Sequence, residues 1–228
     1  MSKITFLNPP FHYRFSRESR SPAVAKSGTL YYPKWLSYAA GLAIKKGNQV
    51  DLIDAPAKGR SIDYCVDRIK SHDSKFLVID TSTPSIVNDI KVVKELQLKL
   101  PEVSFLMVGR HVSAMPSETL SLFGESEKVP MALKEYEHTV LDWVEAIKTG
   151  SSLENVAGLS IYDRKINGCI KTIDRPPLEN LDELPFVTEV YKRFLDINDY
   201  YYGHSLYPLV VFDTSRGCPF KCTFCVYP

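Results

Sequence analysis

A chain of 228 residues, 44% hydrophobic and 24% charged, has the make-up of a folded globular protein and excludes collagen-like, disordered and disulfide-dense classes. A formal net charge of +1 gives no pull towards nucleic acid or an anionic membrane. No apolar run approaches the roughly 20 residues a transmembrane segment needs. The opening Met1-Ser-Lys-Ile-Thr-Phe-Leu-Asn-Pro-Pro is too short for a secretion signal, so a cytoplasmic location is expected. Arg14, Arg17, Arg20 and Lys26 form a basic run, read as a solvated loop.

From the start to residue 150, strand patterns alternate with helix patterns. Residues 3–7 predict a first strand. Residues 33–46 carry Trp35, Leu36, Ala39, Ala40, Leu42 and Ala43 at helical spacing and stop at Gly47. Residues 49–53 predict a second strand, 62–69 a helix and 75–79 a third strand of the continuous apolar, buried type. A helix over 87–100 has Val92, Val93, Leu96 and Leu100 on one face. Then come a strand over 104–108, a short helix over 118–123, a fifth strand over 129–133 and a helix over 135–148 ending at Gly150. Strands separated by such helices imply right-handed crossovers and an α/β fold: a doubly wound, Rossmann-like parallel sheet covered on both faces.

Residues 151–207 read as a linker. Residues 157–162 and 169–173 form a hairpin around Lys165-Ile-Asn-Gly168. Arg175-Pro-Pro and Leu181-Asp-Glu-Leu-Pro-Phe follow, then a tyrosine-rich stretch (Tyr191, Tyr200, Tyr201, Tyr202, Tyr207) read as packing residues. Residues 208–213 predict a strand that opens a third segment, 208–228.

Five cysteines include three within eight positions, Cys218-Pro-Phe-Lys-Cys222-Thr-Phe-Cys225, while Cys65 and Cys169 stand alone as ordinary packing residues. Three thiolates on so short an arc can converge on one inorganic core, and thiolates suit iron–sulfur clusters. Three ligands fill three corners of a four-iron cube and leave one iron open. A structural zinc site needs a fourth ligand, and the nearest upstream histidine, His204, lies across a whole strand.

Ser-Arg-Gly-Cys218-Pro-Phe-Lys-Cys222-Thr-Phe-Cys225 after a strand resembles the opening of a radical S-adenosylmethionine (SAM) barrel. The resemblance implies that Cys218, Cys222 and Cys225 hold a [4Fe–4S] cluster and that Phe224 lies by the SAM adenine. It also implies reductive cleavage of SAM to a 5′-deoxyadenosyl radical, with an electron donor such as flavodoxin or ferredoxin.

Upstream, Phe-Leu-Asn-Pro-Pro, Tyr-Pro-Lys-Trp-Leu-Ser-Tyr-Ala-Ala-Gly-Leu-Ala, Asp-Thr-Ser-Thr-Pro-Ser and Val-Gly-Arg-His resemble the cobalamin-binding domain that precedes the barrel in B12-dependent radical SAM enzymes. Tyr-Pro-Lys-Trp-Leu, Thr-Ser-Thr-Pro-Ser-Ile-Val-Asn-Asp and Leu-Pro-Phe-Val-Thr-Glu-Val-Tyr-Lys-Arg look most like hopanoid-biosynthesis-associated members, which implies a small-molecule or lipid-like substrate. Such enzymes methylate unactivated carbons or rearrange substrates. The implied organisation is a cobalamin-binding domain over 1–150, a linker over 151–207 and the start of a radical SAM domain over 208–228.

In open parallel sheets, ligands bind outside the carboxyl ends of the strands. Asn8, Thr81, Ser82, Gly109 and His111 all follow strands, and are the candidate cobalamin contacts. Two departures stand out. The Asp-x-His-x-x-Gly segment that supplies an axial histidine in other B12 domains is absent, and Glu135-Tyr-Glu137 stands where the family has an acidic turn containing glycine. Only three residues follow Cys225, so the chain is expected to be an inactive fragment, its barrel missing. The rival expectations are a non-catalytic nucleotide- or protein-binding module, with Asp54 where a ribose-binding carboxylate stands, and a radical SAM protein whose upstream domain has lost cobalamin.

Overall fold

The structure is a computed structural model that describes residues 1–18, 28–124, 126, 128–217, 220, 222 and 223. Five strands alternate with helices: β1 (Lys3–Asn8), α1 (Lys34–Lys45), β2 (Gln49–Asp54), α2 (Ile62–His72), β3 (Phe76–Thr81), α3 (Ile86–Lys99), β4 (Ser104–Gly109), the short helices α4 (Arg110–Ala114) and α5 (Pro116–Leu122), β5 (Met131–Ala132) and α6 (Glu137–Thr149). A hairpin of β6 (Leu159–Asp163) and β7 (Gly168–Lys171) follows, then α7 (Val187–Phe194). The sheet runs β2-β1-β3-β4-β5-β6-β7. β1 to β5 are mutually parallel, whereas β6 pairs antiparallel with β5 and β7 antiparallel with β6. The expected α/β architecture is therefore present, with the hairpin joined to the sheet as its last two strands.

Alternation along each strand sorts the core into two layers. Ile4, Phe6, Val50, Leu52, Phe76, Val78, Leu106 and Val108 face one side, where α1 and α6 bury Leu36, Ala40, Val140 and Trp143. Leu7, Ile53, Leu77, Ile79, Phe105 and Met107 face the other, against Val66 and Ile69 of α2, Ile90, Val93 and Leu96 of α3, and Phe123. Strands buried on both faces read as unbroken apolar runs, which is why β3 and β4 are legible as such. Local signals set the helix ends. The Ser61 hydroxyl accepts from Tyr64 N at the start of α2, and Gly150 closes α6 in the left-handed conformation at φ 69°.

A third apolar cluster joins the downstream segment to the sheet domain. Tyr32 stacks on Tyr191 and Tyr200 with centroids 4.2 and 3.9 Å apart, and Leu30, Tyr38, Leu209 and Val211 close around them. This bears out the packing role of Tyr191 and Tyr200, whereas Tyr201 and Tyr207 are exposed. The strand expected over 208–213 forms no ladder among the described residues. Leu209, Val211 and Asp213 turn inwards while Val210 and Phe212 lie outside, so the strand-like alternation is real. Its carbonyls go to side chains instead: the Tyr32 hydroxyl donates to Leu209 O at 2.9 Å and the Tyr191 hydroxyl to Val211 O at 3.1 Å.

Candidate functional site at the carboxyl edge

Strand ends β1, β3, β4 and β5 deliver their polar residues to one edge of the sheet, which has two dissimilar halves. On the β1/β3 side the chain order reverses, the place where ligands enter sheets of this type. Here Asn8 Nδ2 donates to Asp54 Oδ1 at 2.7 Å, and the Tyr200 hydroxyl donates to Asp54 Oδ2 at 2.8 Å. Burial pushes the Asp54 carboxyl up to about 6, against the pull of those two hydrogen bonds.

Arg17 fills the crevice itself. Its Nη1 donates to Asn8 Oδ1 at 2.6 Å and to Pro9 O at 2.9 Å, while Nη2 meets Asp89 Oδ1 at 2.5 Å. Ser85 Oγ donates to Asp89 Oδ2 at 2.6 Å, and the Ser82 and Ser85 hydroxyls are 2.8 Å apart. The basic run read as a solvated loop is thus corrected at Arg17, whose side chain is 1% exposed and paired with the wholly buried Asp89. A cation leaves water when a carboxylate and neutral acceptors replace its hydration together. Arg20 and Lys26 lie outside the described residues.

The β3–β5 half is organised differently. The Thr81 hydroxyl donates to Val108 O at 2.7 Å, tying β3 to β4. Gly109 takes φ +111°, and a Cβ there would stand 2.4 Å from Thr81 O and 2.6 Å from Asp80 Oδ1. Its lack of a side chain admits the neighbouring strand end, so that closeness is already used within the protein. Thr81 N donates to Asp80 Oδ1 at 2.9 Å. Burial, reinforced by the nearby charge of Glu18, pushes the Asp80 carboxyl up to about 8. Burial thus favours the protonated form of Asp80, which can donate. Glu18 accepts from Trp35 N at 3.3 Å and pairs with Arg110 at 3.5 Å, and burial raises its carboxyl as well.

Around this acid pair several buried polar atoms have no hydrogen-bond partner among the described residues: the Tyr136 hydroxyl, Asp213 Oδ2 and Arg216 Nη1. Asp80, Glu18, Glu137 and Arg216 all act electrostatically on Tyr136, and Asp213 acts on Glu18, which places these groups in one neighbourhood. Burial holds the Tyr136 hydroxyl well above its ordinary range, so it stays a donor. His111 is buried further towards α3 and α5. Its Nδ1 lies 3.2 Å from Thr83 Oγ1, its Nε2 is unpartnered, and burial lowers its pKa, leaving the ring neutral. Buried polar groups normally find partners, so a set of unspent ones on a ligand-binding edge points to a polar occupant.

Of the residues singled out from sequence, Asn8, Thr81 and Ser82 reach this edge with their hydrogen bonds directed internally, Gly109 packs on Thr81, and only His111 keeps a free polar atom. Sequence reasoning gave no site role to Glu18, Asp80, Tyr136 or Arg216 and took Arg17 for solvated; the charged partners of Arg17 and Arg216, Asp89 and Glu137, lie 72 and 79 residues away. The acidic Glu135-Tyr-Glu137 turn was the available signal. Arg216 Nη2 lies 2.5 Å from Glu137 Oε1, its Nη1 3.6 Å from Glu135 Oε1, and its guanidinium stands over the rings of Trp35 and Tyr38 at 4.7 and 5.1 Å. Of the proposed cluster ligands Cys222 is described, exposed and unbonded; Cys218, Cys225 and the aromatic Phe224 lie outside the described residues. Among the described residues no helix is long and apolar enough to cross a membrane.

The B12 binding domain family matches residues 20–133, half of the chain. An uncharacterized methyltransferase of Pyrococcus horikoshii is 30% identical over 201 residues, covering 87% of this chain and 41% of that protein. The anaerobic magnesium-protoporphyrin IX monomethyl ester cyclase of Rubrivivax gelatinosus is 24% identical, covering 98% of this chain and 38% of its own length. The chain thus spans about two fifths of the curated relatives it matches. Two solved structures share its fold. The cobalamin-dependent SAM radical enzyme OxsB, with aqua-cobalamin and SAM bound, aligns at TM-score 0.63 and 11% identity over 83% of this chain and 25% of its own. The radical SAM methyltransferase TsrM of Kitasatospora setae, with tryptophan and a SAM analogue bound, aligns at TM-score 0.55 and 13% identity over 78% of this chain and 31% of its own. The family match, on a doubly wound sheet whose carboxyl edge carries unspent polar groups, makes this chain a member of the B12 binding domain family.

Proposed function

We propose that this chain is the cobalamin-binding part and cluster loop of a radical SAM enzyme that transfers a methyl group or rearranges its substrate. The observation that carries the proposal is a set of unpartnered buried atoms at the carboxyl edge, the Tyr136 hydroxyl, Asp213 Oδ2 and His111 Nε2, in a chain that continues into Cys218, Cys222 and Cys225. The set mixes donors and an acceptor, and so suits a large neutral ligand fringed with primary amides better than a bare anion. Cobalamin has that periphery, and when bound it supplies a cobalt centre able to carry a methyl group or exchange an electron. Tyr136 would donate to it and Asp213 Oδ2 would accept from it. His111 presents a neutral ring nitrogen on the same edge, with Thr83 orienting the other. The three cysteines would hold a [4Fe–4S] cluster with one iron open to SAM, beside Phe224. A small-molecule or lipid-like substrate and a flavodoxin- or ferredoxin-type donor complete the proposal.

One observation favours a second reading, in which the domain binds no cobalamin: the crevice at the strand-order reversal is filled by Arg17. Anaerobic reconstitution with iron, sulfide and hydroxocobalamin, followed by desalting and a visible spectrum, separates the two. Retained corrin bands together with iron–sulfur absorbance support the first reading, with Cys222→Ala losing the iron but not the corrin. Iron without corrin leaves the second, and corrin without iron removes the cluster.

A further inference from the structure

Arg216 stands two residues before Cys218, yet its ion-pair and ring partners among the described residues belong to the sheet domain. Its side chain is 7% exposed and that of its partner Glu137 is 5% exposed, so neither charge has bulk water in reserve. Glu137 Oε1 lies 2.5 Å from Nη2, and Glu135 is held at 3.6 Å. The guanidinium lies over Trp35 and Tyr38 of α1. Three residues earlier, Asp213 repeats the arrangement: its carboxylate meets Lys34 Nζ at 2.8 Å and its amide donates to the Tyr38 hydroxyl oxygen at 3.2 Å. A segment serving only as a connection has no reason to bury a cation. A planar fork between two carboxylates and two ring faces fixes orientation as well as place, which lysine cannot do.

We infer that Arg216 is a positioning residue. It clamps the root of the three-cysteine segment to the carboxyl edge, through α1 and the turn between β5 and α6, and so sets the separation between the cluster and the ligand on that edge. The clamp stands on geometry alone; its purpose rests on the proposed function.

Both parts are tested on the full chain. In metal-free protein, amide exchange over residues 209–217 is followed in Arg216→Lys, Arg216→Met, Glu137→Gln and the Arg216→Met/Glu137→Gln pair. The pair leaves no lone buried charge and keeps the test available where Arg216→Met does not fold. At least tenfold faster exchange over 209–217 is expected in each variant, with β1, β3 and β4 unchanged and no further gain in the pair over the singles. Unchanged exchange in Arg216→Lys and in the pair overturns the clamp. In reconstituted protein, pulsed electron paramagnetic resonance reads the distance distribution between Co(II) and the reduced cluster. Arg216→Lys is expected to broaden it at equal cofactor content, a change that a purely structural ion pair does not produce. An unbroadened distribution overturns the positioning role. Wild-type protein that takes up neither cofactor sinks the proposed function and the positioning role with it, while the exchange result still decides the clamp.

Discussion

At the scale of single residues, Asp80 makes a prediction with a definite sign. Its folded value of about 8 lies above the ordinary ~3.9 of an unfolded aspartate. Between those values the folded protein keeps a proton that the unfolded chain has released. Stability from this group is full below the lower value, falls as pH rises through the window and levels off above it. Asp80→Asn keeps the acceptor for Thr81 N but cannot ionise. Its stability relative to the wild type, read from thermal unfolding, is expected to rise from pH 5 to pH 8 by on the order of a few kcal/mol. Midpoints that run parallel across that range would show that Asp80 is ionised in the fold. Gly109 makes a second prediction: alanine there needs both a left-handed φ and space occupied by Thr81 O. Gly109→Ala should cost at least ~1–3 kcal/mol from backbone conformation alone, measured by denaturant unfolding. A variant as stable as the parent would mean that the ends of β3 and β4 separate freely.

Elements whose sequence pattern coincides with burial were legible, and those decided by a distant partner were not. The five parallel strands and the helices α1, α2, α3, α5 and α6 follow from apolar periodicity, and their ends from Gly47, Ser61 and Gly150, whereas α4 was not expected. The segment over 208–213 has a strand's alternation but no strand beside it among the described residues, and alternation says nothing about who pairs with the backbone. The hairpin was legible as a hairpin. Its attachment depended on the pairing of Met131 with Ser160 and of Ala132 with Leu159, about which two residues of β5 reveal little. The site divides in the same way. The cysteine spacing is contiguous and therefore visible, whereas Arg17 and Asp89 are 72 residues apart and Arg216 and Glu137 are 79 apart. Trp143 is fully buried and meets Phe76 edge-on at 5.5 Å, so Trp143→Ala should cost about 3–5 kcal/mol in denaturant unfolding. A loss below 1 kcal/mol would mean that α6 does not share the β3 core.

For the whole molecule, the question is where the sheet domain stops. A boundary at residue 150 would leave β5, two residues long, as the outermost strand, and would strip β6, β7 and the tyrosine cluster from the core. Truncation to residues 1–150 is therefore expected to give an aggregating protein without a cooperative thermal transition, as followed by circular dichroism and size-exclusion chromatography. A monomeric, cooperatively melting fragment would show that the last two strands are an appendage.

The tyrosine hydroxyls that hold Leu209 and Val211, and the guanidinium of Arg216, have a consequence for modularity. An interchangeable module meets its neighbour through a connector that belongs to neither. Here the stretch leading to the cysteines is built into the core of what precedes it, so the seam available for recombination falls after Gly217 rather than in the proline-rich stretch near residue 176. Chimeras that graft this sheet onto a foreign barrel should tolerate a junction there and fail at one placed upstream, because an upstream cut replaces side chains that the sheet domain counts among its own.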